Sequence, residues 1–404
     1  MNVCPHVASL PPEGALSRLG AARRRLNPFV EPFKNLINKG TVEAIGAQLQ
    51  RVWPAFERRR FQNLAQTGLD ALEFKARAQH VCAALEATLP ADFEHAAALL
   101  EATLAPPGAQ GDPRWAQIGN GALAGWAVWP MGEYVARRGL QSPQRALATL
   151  HALTQRFTAE WPLRAFIERH PEITFATLAL WSSDPSEHVR RLVSEGSRPR
   201  LPWGLQLKGL IKDPTPTLPL LLALQDDPSE YVRRSVANHL NDIAKDHPAL
   251  VAAWLEQHLV DASPERRALL KHATRTLVKK GDARVLKAWG LGKPLRGSAT
   301  LSITPKRLAV GENFELAVTL TSTANRSQKL MIDYAVHHVK ANGSTSGKVF
   351  KGWVIELAAH ETRALRKRHS MRPITTRSYH AGHHAVDLRI NGQTAASAGF
   401  DLRV

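Results

Sequence analysis

The sequence predicts a multidomain protein in which an α-helical solenoid precedes a β-sandwich. Three observations predict this order. Apolar residues recur with helical spacing between residues 29 and 289, a ten-residue segment recurs 43 residues further along the chain, and short alternating segments begin near residue 300. The chain has 404 residues, of which 44% are hydrophobic and 22% are charged, and these values are typical of a folded protein with a sizeable core.

The first part of the chain is predicted to be a flexible arm followed by helices. Residues 1–28 are rich in Pro, Gly, Ala and Arg, and we interpret them as the arm. Residues 29–295 form the predicted helical domain, in which segments such as VCAALEATL and LATLHALTQRF place apolar residues three and four apart. Pro and Gly interrupt these runs at intervals of about 10–20 residues, which is the usual length of a helix.

An internal repeat specifies the kind of helical domain. DPSEHVRRLV begins at Asp184, DPSEYVRRSV begins at Asp227, and a looser copy, DASPERRALLKHATRTL, begins at Asp261. A period near 40 with two helices per unit is typical of HEAT-like solenoids, whose units stack because each leaves an apolar face for its neighbour to cover. In the first two copies we expect the aspartate to be the helix N-cap and the proline to be the first helical residue.

Residues 296–404 are predicted to be an immunoglobulin-like β-sandwich. The segments ATLSIT, FELAVTLTS, VFKGWVIEL and HAVDLRI alternate apolar and polar residues, and turn clusters such as TANRS, ANGSTSG and NGQ separate the predicted strands. Lys and Arg outnumber Asp and Glu by more than two to one in this part of the chain. The predicted sandwich is therefore basic in its own right.

The charge of the chain indicates the class of partner. The formal net charge is +18, which favours an anionic partner, with nucleic acid as the first candidate and an anionic membrane surface as the second. No segment approaches the ~18 consecutive apolar residues of a membrane helix, and the N-terminal segment lacks the apolar core of a signal peptide, so we expect a cytoplasmic protein. Cys4 and Cys82 are too isolated for a disulfide framework or a zinc site, and the histidines of SYHAGHHAV lack matching ligands, so we expect no metal and no cofactor.

The charged residues of the repeats fall on one face of their helices. In the second copy Val232, Val236, Leu240 and Ile243 share the face expected in the core, and a polar stripe runs beside them. Stacked repeats can align such stripes into a basic surface that suits a polyphosphate backbone, although such stripes are often only solvated helix faces. The residues expected to contact the nucleic acid are Arg190, Arg191, Arg198, Arg200, Arg233, Arg234, Asn238, Lys245, Lys271 and Arg275.

Three carboxylates, Glu160, Glu195 and Asp242, interrupt this positive charge. A phosphate-binding surface should exclude carboxylates, because each of them repels the ligand. Carboxylates that are kept there can serve a cation or a positive charge that develops during a reaction. The alternative for each acid is an ion pair within a helix, which contributes only about 0.3–0.5 kcal/mol.

The segments that carry these acids resemble a known family. FTAEWPLRAFI, DPSEHVRRLVSEGSRPRLPWG and VANHLNDIAKDHP, together with the basic strand domain, resemble the AlkC-type DNA alkylation-repair glycosylases, which belong to a superfamily with HEAT-like repeats. The resemblance extends from about residue 29 to the C-terminus, and the strand domain favours the AlkC branch over the AlkD branch. It implies that Glu160, Glu195, Trp203 and Asp242 form the catalytic cluster.

The resemblance also implies a reaction. Members of the family hydrolyse the N-glycosidic bond of cationic N3-methylated bases, 3-methyladenine and 3-methylcytosine, in alkylated double-stranded DNA, without deep base flipping. Such a base is already cationic and leaves without a proton. The energy barrier therefore comes from the sugar, which becomes positive as the bond breaks. A carboxylate can stabilise that charge, a second can orient or deprotonate the attacking water, and an indole offers its π-face to a cation.

These expectations together describe a monofunctional DNA glycosylase. We expect it to act as a monomer on duplex DNA, in the bacterial cytoplasm and in association with the nucleoid. The alternative is a non-catalytic HEAT-repeat scaffold that binds nucleic acid and recruits a partner through its strand domain. A scaffold explains the charge and the repeats equally well, but it does not require the three acids to converge.

Overall fold

The structure is a computed structural model that describes residues 33–108, 122–374 and 377–404. The chain divides into two compact units, one spanning Glu31–Thr276 and the other containing Leu277–Val404. The division falls within the helix Arg275–Lys280, whereas the domain boundary that we propose, between residues 295 and 296, falls just before the first strand. The predicted arm, residues 1–28, lies outside the described residues.

Helices make up the first unit and the beginning of the second. Within the described residues, no helix is long and apolar enough to cross a membrane. The α-helices are α1 (Lys39–Val52), α2 (Arg58–Gln66), α3 (Phe74–Glu86), α4 (Phe93–Ala102), α5 (Trp129–Arg138), α6 (Pro143–Thr154), α7 (Leu163–Arg169), α8 (Pro171–Trp181), α9 (Glu187–Gly196), α10 (Lys208–Lys212), α11 (Leu218–Leu224), α12 (Glu230–Asp246), α13 (Pro248–Leu259), α14 (Pro264–Ala273), α15 (Arg275–Lys280) and α16 (Ala283–Ala288).

Helix α12 is the centre of the repeat region, because it packs against both α9 and α14. Its buried face is the predicted one: Val232, Val236, Leu240 and Ile243 are each at most 1% exposed. Burying such side chains stabilises the fold by on the order of 1.5–3 kcal/mol each. The side-by-side packing of helices from successive repeats confirms the predicted α-solenoid.

The starts of the repeat helices differ from the prediction by two residues. Helices α9 and α12 begin at the glutamate of DPSE, and the serine before it, Ser186 or Ser229, is the N-cap residue. Asp184 and Asp227 lie two residues earlier, and each carboxylate accepts a hydrogen bond of 2.8 Å from the backbone N–H of that serine. The prediction that the aspartates are N-caps is therefore wrong, because each closes a side-chain turn ahead of its helix.

Eight strands form two sheets in the second unit. The sheets have the orders β1-β3-β6 and β2-β8-β7-β4-β5, and neighbouring strands are antiparallel except for the parallel pair β2 and β8. This arrangement confirms the predicted sandwich. The strands are β1 (Gly297–Thr304), β2 (Arg307–Ala309), β3 (Asn313–Ser322), β4 (Gln328–Val339), β5 (Thr345–Leu357), β6 (Thr362–Ser370), β7 (Gly382–Ile390) and β8 (Gln393–Arg403).

The core of the sandwich follows from the alternation of residues along its strands. In β3, Phe314, Leu316, Val318 and Leu320 are each at most 1% exposed, and the residues between them are more exposed. They pack against inward-facing residues of β4, β7 and β8. The period of two places every second side chain on the same face of the sheet, which is why the sequence pattern predicts this core.

Candidate active site

The three predicted catalytic carboxylates belong to one network of ion pairs. Glu160 precedes α7, Glu195 lies near the end of α9, and Asp242 lies in α12. Arg191 joins the first two, because its guanidinium nitrogens lie 3.0 Å from a Glu160 oxygen and 3.7 Å from a Glu195 oxygen. Arg198 joins the last two, at 2.5 Å from Glu195 and 2.8 Å from Asp242. The structure thus brings the three acids together through two shared arginines.

The spacing of residues along α9 explains how Glu195 is surrounded. Arg191 precedes it by four residues on the helix and so lies on the side of its carboxylate, and the chain turns after the end of α9 and brings Arg198 to the same carboxylate. Helix α12 adds the hydroxyl of Ser235, which donates to the other Glu195 oxygen at 2.7 Å. Ser194 donates in turn to the Ser235 hydroxyl oxygen at 2.7 Å. Both oxygens of the Glu195 carboxylate are therefore held in place.

The network is largely shielded from water. Glu160, Glu195 and Asp242 are 8%, 3% and 2% exposed. One end reaches the surface through Lys245, whose side chain is 42% exposed and whose ammonium lies 2.7 Å from Asp242. Charges in such surroundings are screened weakly by salt and water, so their mutual interactions are stronger than those of surface pairs.

The surroundings of the two glutamates separate their pKa values. Burial opposes the ionisation of Glu195, but Arg191 and Arg198 outweigh it and lower the pKa of Glu195 to about 2. Burial raises the pKa of Glu160, and the negative charge of Glu195 adds to this rise, although Arg191 and the hydroxyl of Thr158 act in the opposite direction. Glu195 is therefore the permanently ionised carboxylate, and Glu160 is the one that accepts a proton more readily.

Two further residues support the network, and the sequence reasoning did not single them out. The guanidinium of Arg191 lies over the ring of Tyr231, 4.8 Å from its centre. The hydroxyl of Thr158 donates to a Glu160 oxygen at 2.9 Å. The repeat contained a signal for Tyr231, because it occupies one of the two positions at which the ten-residue copies differ, where the first copy has His188.

Trp203 lies at the surface rather than within the buried network. It belongs to the loop between α9 and α10, and it is 56% exposed. Its backbone has a φ of +62°, in the left-handed region that a bulky residue rarely adopts. Its carbonyl oxygen accepts a hydrogen bond of 3.0 Å from the ammonium of Lys75.

Most of the residues predicted to contact nucleic acid already have partners within the protein. Arg191 and Arg198 lie inside the carboxylate network, and Arg198 is only 5% exposed, so the prediction that they lie on an open basic surface is wrong. Their charges are matched by buried carboxylates that would otherwise be unpaired. Arg190 and Arg200 each pair with an aspartate, at 2.6 and 2.7 Å, and Arg233 donates to two backbone carbonyl groups at 2.6 and 2.9 Å.

The remaining predicted residues differ in their exposure. Arg234, Lys245 and Lys271 are exposed, as the prediction requires. Asn238 is 2% exposed, which is a second correction, and its side-chain oxygen accepts a hydrogen bond of 3.0 Å from Arg275. A phosphate can therefore reach the first three residues from solvent, whereas Asn238 connects α12 to the start of α15.

Comparison with known proteins places the whole chain in one family. Residues 297–404 match the family described as the C-terminal Ig-like domain of the uncharacterised protein YhaZ. The uncharacterised protein YhaZ of Bacillus subtilis strain 168 is 35% identical over 371 residues, which cover 91% of this chain and 99% of that protein. The solved structure of the Pseudomonas fluorescens alkylpurine DNA glycosylase AlkC, bound to DNA containing an abasic site analogue, is 35% identical with a TM-score of 0.83, and the match covers 93% of this chain and 100% of that one. The chain belongs to the AlkC-type family of DNA glycosylases.

Proposed function

We propose that this protein is a monofunctional DNA glycosylase that removes cationic N3-methylated bases, 3-methyladenine and 3-methylcytosine, from double-stranded DNA. The observation that carries the proposal is the convergence of Glu160, Glu195 and Asp242 in one buried network, on a chain whose net charge is +18. The similar glycosylase of Pseudomonas fluorescens was solved with DNA that contains an abasic site analogue, which supports DNA as the substrate.

The charge balance of the network suits a reaction through a sugar cation. When the bond between C1′ and the base nitrogen breaks, the cationic base leaves with both electrons as a neutral molecule, and the sugar becomes positive. Arg191, Arg198 and Lys245 balance the three carboxylates in number, and Glu195, buried and held ionised, carries a full negative charge within the network. A fixed negative charge in surroundings of low polarity stabilises a developing cation without the cost of reorienting water.

The glutamates have different roles in the proposed reaction. Glu195, held ionised by two arginines, supplies the negative charge that faces the sugar. Glu160, whose pKa is raised, accepts the proton of the water that adds to C1′, since a general base works best when its pKa lies near the operating pH. Asp242 shares Arg198 with Glu195 and so prevents that arginine from neutralising Glu195 completely.

Selectivity for cationic bases follows from this division of roles. No group in the mechanism protonates the leaving base, so a neutral base would have to leave as an anion. The exposed indole of Trp203 offers a π-face to the lesion, worth about 0.5–2 kcal/mol for a cation, and Arg234, Lys245 and Lys271 are placed to bind phosphate. The protein acts as a monomer in the bacterial cytoplasm in this proposal, and it reaches the lesion without flipping it into a deep pocket.

One observation favours the alternative of a non-catalytic scaffold that binds nucleic acid. Every carboxylate of the network already has a cationic partner, as in a structural ion-pair cluster. Incubation with N-methylnitrosourea-treated DNA, followed by mass spectrometry of the released bases, separates the two functions. A glycosylase releases free 3-methyladenine and 3-methylcytosine well above the spontaneous rate, whereas a scaffold binds the same DNA and releases neither.

The substitution Thr158→Val tests the role of Glu160 through pH. The hydroxyl of Thr158 stabilises the ionised form of Glu160, so its loss raises the pKa of Glu160 further. A general base is active only when deprotonated, so excision should decline at a higher pH as the solution is made more acidic. We expect the acidic limb of the single-turnover rate to move upward by roughly 0.5–1 pH unit, with the plateau at high pH unchanged.

The control for this prediction is Thr177→Val, in helix α8 and outside the network. The hydroxyl of Thr177 donates only to the carbonyl oxygen of Ile173 in its own helix, at 2.8 Å. This variant should keep the wild-type pH profile. A profile that stays in place, or moves to lower pH, in Thr158→Val would show that Glu160 is not the base.

A further inference from the structure

A buried arginine outside the carboxylate network holds the loop that carries Trp203. Arg164 in α7 is 0% exposed. Its guanidinium donates to four backbone carbonyl oxygens, which all belong to the segment between the end of α9 and the start of α10. They are those of Gly196 at 2.9 Å, Arg198 at 2.7 Å, Pro199 at 3.4 Å and Leu205 at 2.5 Å.

A buried charge with such partners is costly, so its role needs an explanation. Burial, reinforced by the positive charge of Arg198, lowers the pKa of Arg164 to about 10, and the group is still ionised at neutral pH. A buried charge costs several kcal/mol unless hydrogen bonds offset that cost. The rigid, planar guanidinium can hold several carbonyl groups at fixed angles, which an ammonium cannot do.

The backbone of this loop is strained where the indole is attached. The φ of +62° at Trp203 is unfavourable for a residue other than glycine, because the Cβ atom comes close to the backbone. Two contacts besides Arg164 hold the strained segment: the ammonium of Lys75 donates to the Trp203 carbonyl at 3.0 Å, and the indole N–H of Trp161 donates to the Pro202 carbonyl at 3.4 Å. Trp161 is itself stacked on Trp129, with ring centres 4.6 Å apart.

The strain serves no packing purpose. Trp203 is 56% exposed, so burial of the indole does not repay the unfavourable backbone conformation. Arg164 holds the backbone on both sides of Trp203, at Pro199 and at Leu205, and so bounds the segment to which the indole is attached. The same guanidinium binds the carbonyl oxygens of Gly196 and Arg198, which flank the network next to Glu195.

We propose that Arg164 is a positioning residue that fixes the indole of Trp203 relative to the Glu195–Arg198 pair, so that DNA meets both in a preformed arrangement. This inference rests on the proposed glycosylase function. In this inference, hydrogen bonds to the loop backbone determine the distance between the indole of Trp203 and the carboxylate of Glu195, and contacts of the indole itself do not.

A glycine next to Trp203 provides a mild test. A Cβ atom at Gly204 would lie 3.2 Å from Nε and 3.3 Å from Cδ of Arg164, and 3.2 Å from Cδ2 of Leu201, so Gly204→Ala presses on the guanidinium and on one leucine of the same loop without removing the charge. The matched control is Gly209→Ala in α10, where a Cβ atom would meet nothing within 4 Å. Arg164→Lys is the second variant, because it keeps the positive charge and loses the planar fork.

The measurement combines ¹⁹F NMR with single-turnover kinetics. The protein is labelled with 5-fluorotryptophan, and Trp203→Phe identifies the Trp203 line among those of the ten tryptophans. We expect Gly204→Ala to shift or broaden the Trp203 line, to leave lines from distant tryptophans unchanged, and to lower the excision rate at least ~10-fold. Gly209→Ala should change neither the line nor the rate. Lines of distant tryptophans that do not change show that the variant is folded. A variant that had lost its fold would change the distant lines as well.

Each outcome decides the inference. A Trp203 line that does not move in Gly204→Ala or in folded Arg164→Lys would overturn it, and so would a displaced line with the full excision rate. If the wild-type protein releases no base, the proposed function has failed, and binding of duplex DNA with an abasic site analogue replaces the kinetic readout. In that case a displaced line with weakened binding supports the positioning role of Arg164, and unchanged binding overturns it.

Discussion

Glu195→Gln is expected to lower the single-turnover rate of 3-methyladenine release by about 10²–10³-fold while the affinity for duplex DNA is retained. Glutamine has nearly the same shape, and its single oxygen can still accept the hydrogen bond from Arg198, while its NH2 group can donate to the hydroxyl oxygen of Ser235. It lacks the charge that would stabilise the sugar cation. The pKa of Glu195 is lowered to about 2, so the wild-type side chain is ionised throughout the pH range of an assay, and the substitution removes a full charge.

The control for this substitution is Glu168→Gln in α7, an exposed glutamate outside the network. It changes the net charge of the protein by the same amount and should leave the rate of release unchanged. A Glu195→Gln variant that is folded and excises 3-methyladenine at a near-normal rate would contradict the role assigned to Glu195.

Arg198→Met is expected to lower the free energy of unfolding by about 3–5 kcal/mol, the usual cost of removing one partner from a buried ion pair. Glu195 and Asp242 share this guanidinium. The side chain of Arg198 is 6% exposed, that of Glu195 is 4% exposed and that of Asp242 is 2% exposed. Methionine fills a similar volume, so the effect reports the loss of charge more than the loss of packing. Urea unfolding followed by circular dichroism provides the measurement.

Arg200→Met is the matched control, two residues further along the chain. Arg200 also pairs with an aspartate, but the two side chains are 30% and 26% exposed, so water can replace much of the interaction. Its loss should change the unfolding midpoint far less than the loss of Arg198. Equal urea midpoints for Arg198→Met and Arg200→Met would contradict this prediction, because they would show that the buried ion pairs stabilise the protein no more than the exposed pair.

The fold could be predicted from the sequence because its signals are local. The repeated DPSE segment marks the period of the solenoid, and the spacing of Val232, Val236, Leu240 and Ile243 marks the buried face of α12, as the structure shows. The strands were predicted from alternation, since burial on one face of a sheet requires a period of two. The N-cap position was wrong because an aspartate two residues before a serine can close a turn as well as cap a helix.

The site could be predicted only in part. The three acids were found because carboxylates are unexpected among arginines, but their partners depend on the packing of α9 against α12. A stripe of Arg191, Glu195 and Arg198 has the same sequence pattern whether it faces solvent or a neighbouring helix. The sequence shows Arg164 as one of the arginines that flank Glu160, but it could not show its role, because the partners of Arg164 are backbone carbonyl groups, which every residue possesses.

The central claim is that Glu195, held ionised within the network, presents its negative charge to a sugar that becomes positive. The most direct test is the ratio of affinities for two DNA duplexes that differ only at one position: a cationic pyrrolidine abasic analogue and the neutral tetrahydrofuran analogue. We predict that the wild-type protein binds the cationic duplex at least ~10²-fold more tightly, as expected for a transition-state mimic, and that Glu195→Gln loses most of this preference. Equal affinity of the wild-type protein for the two duplexes would contradict the claim.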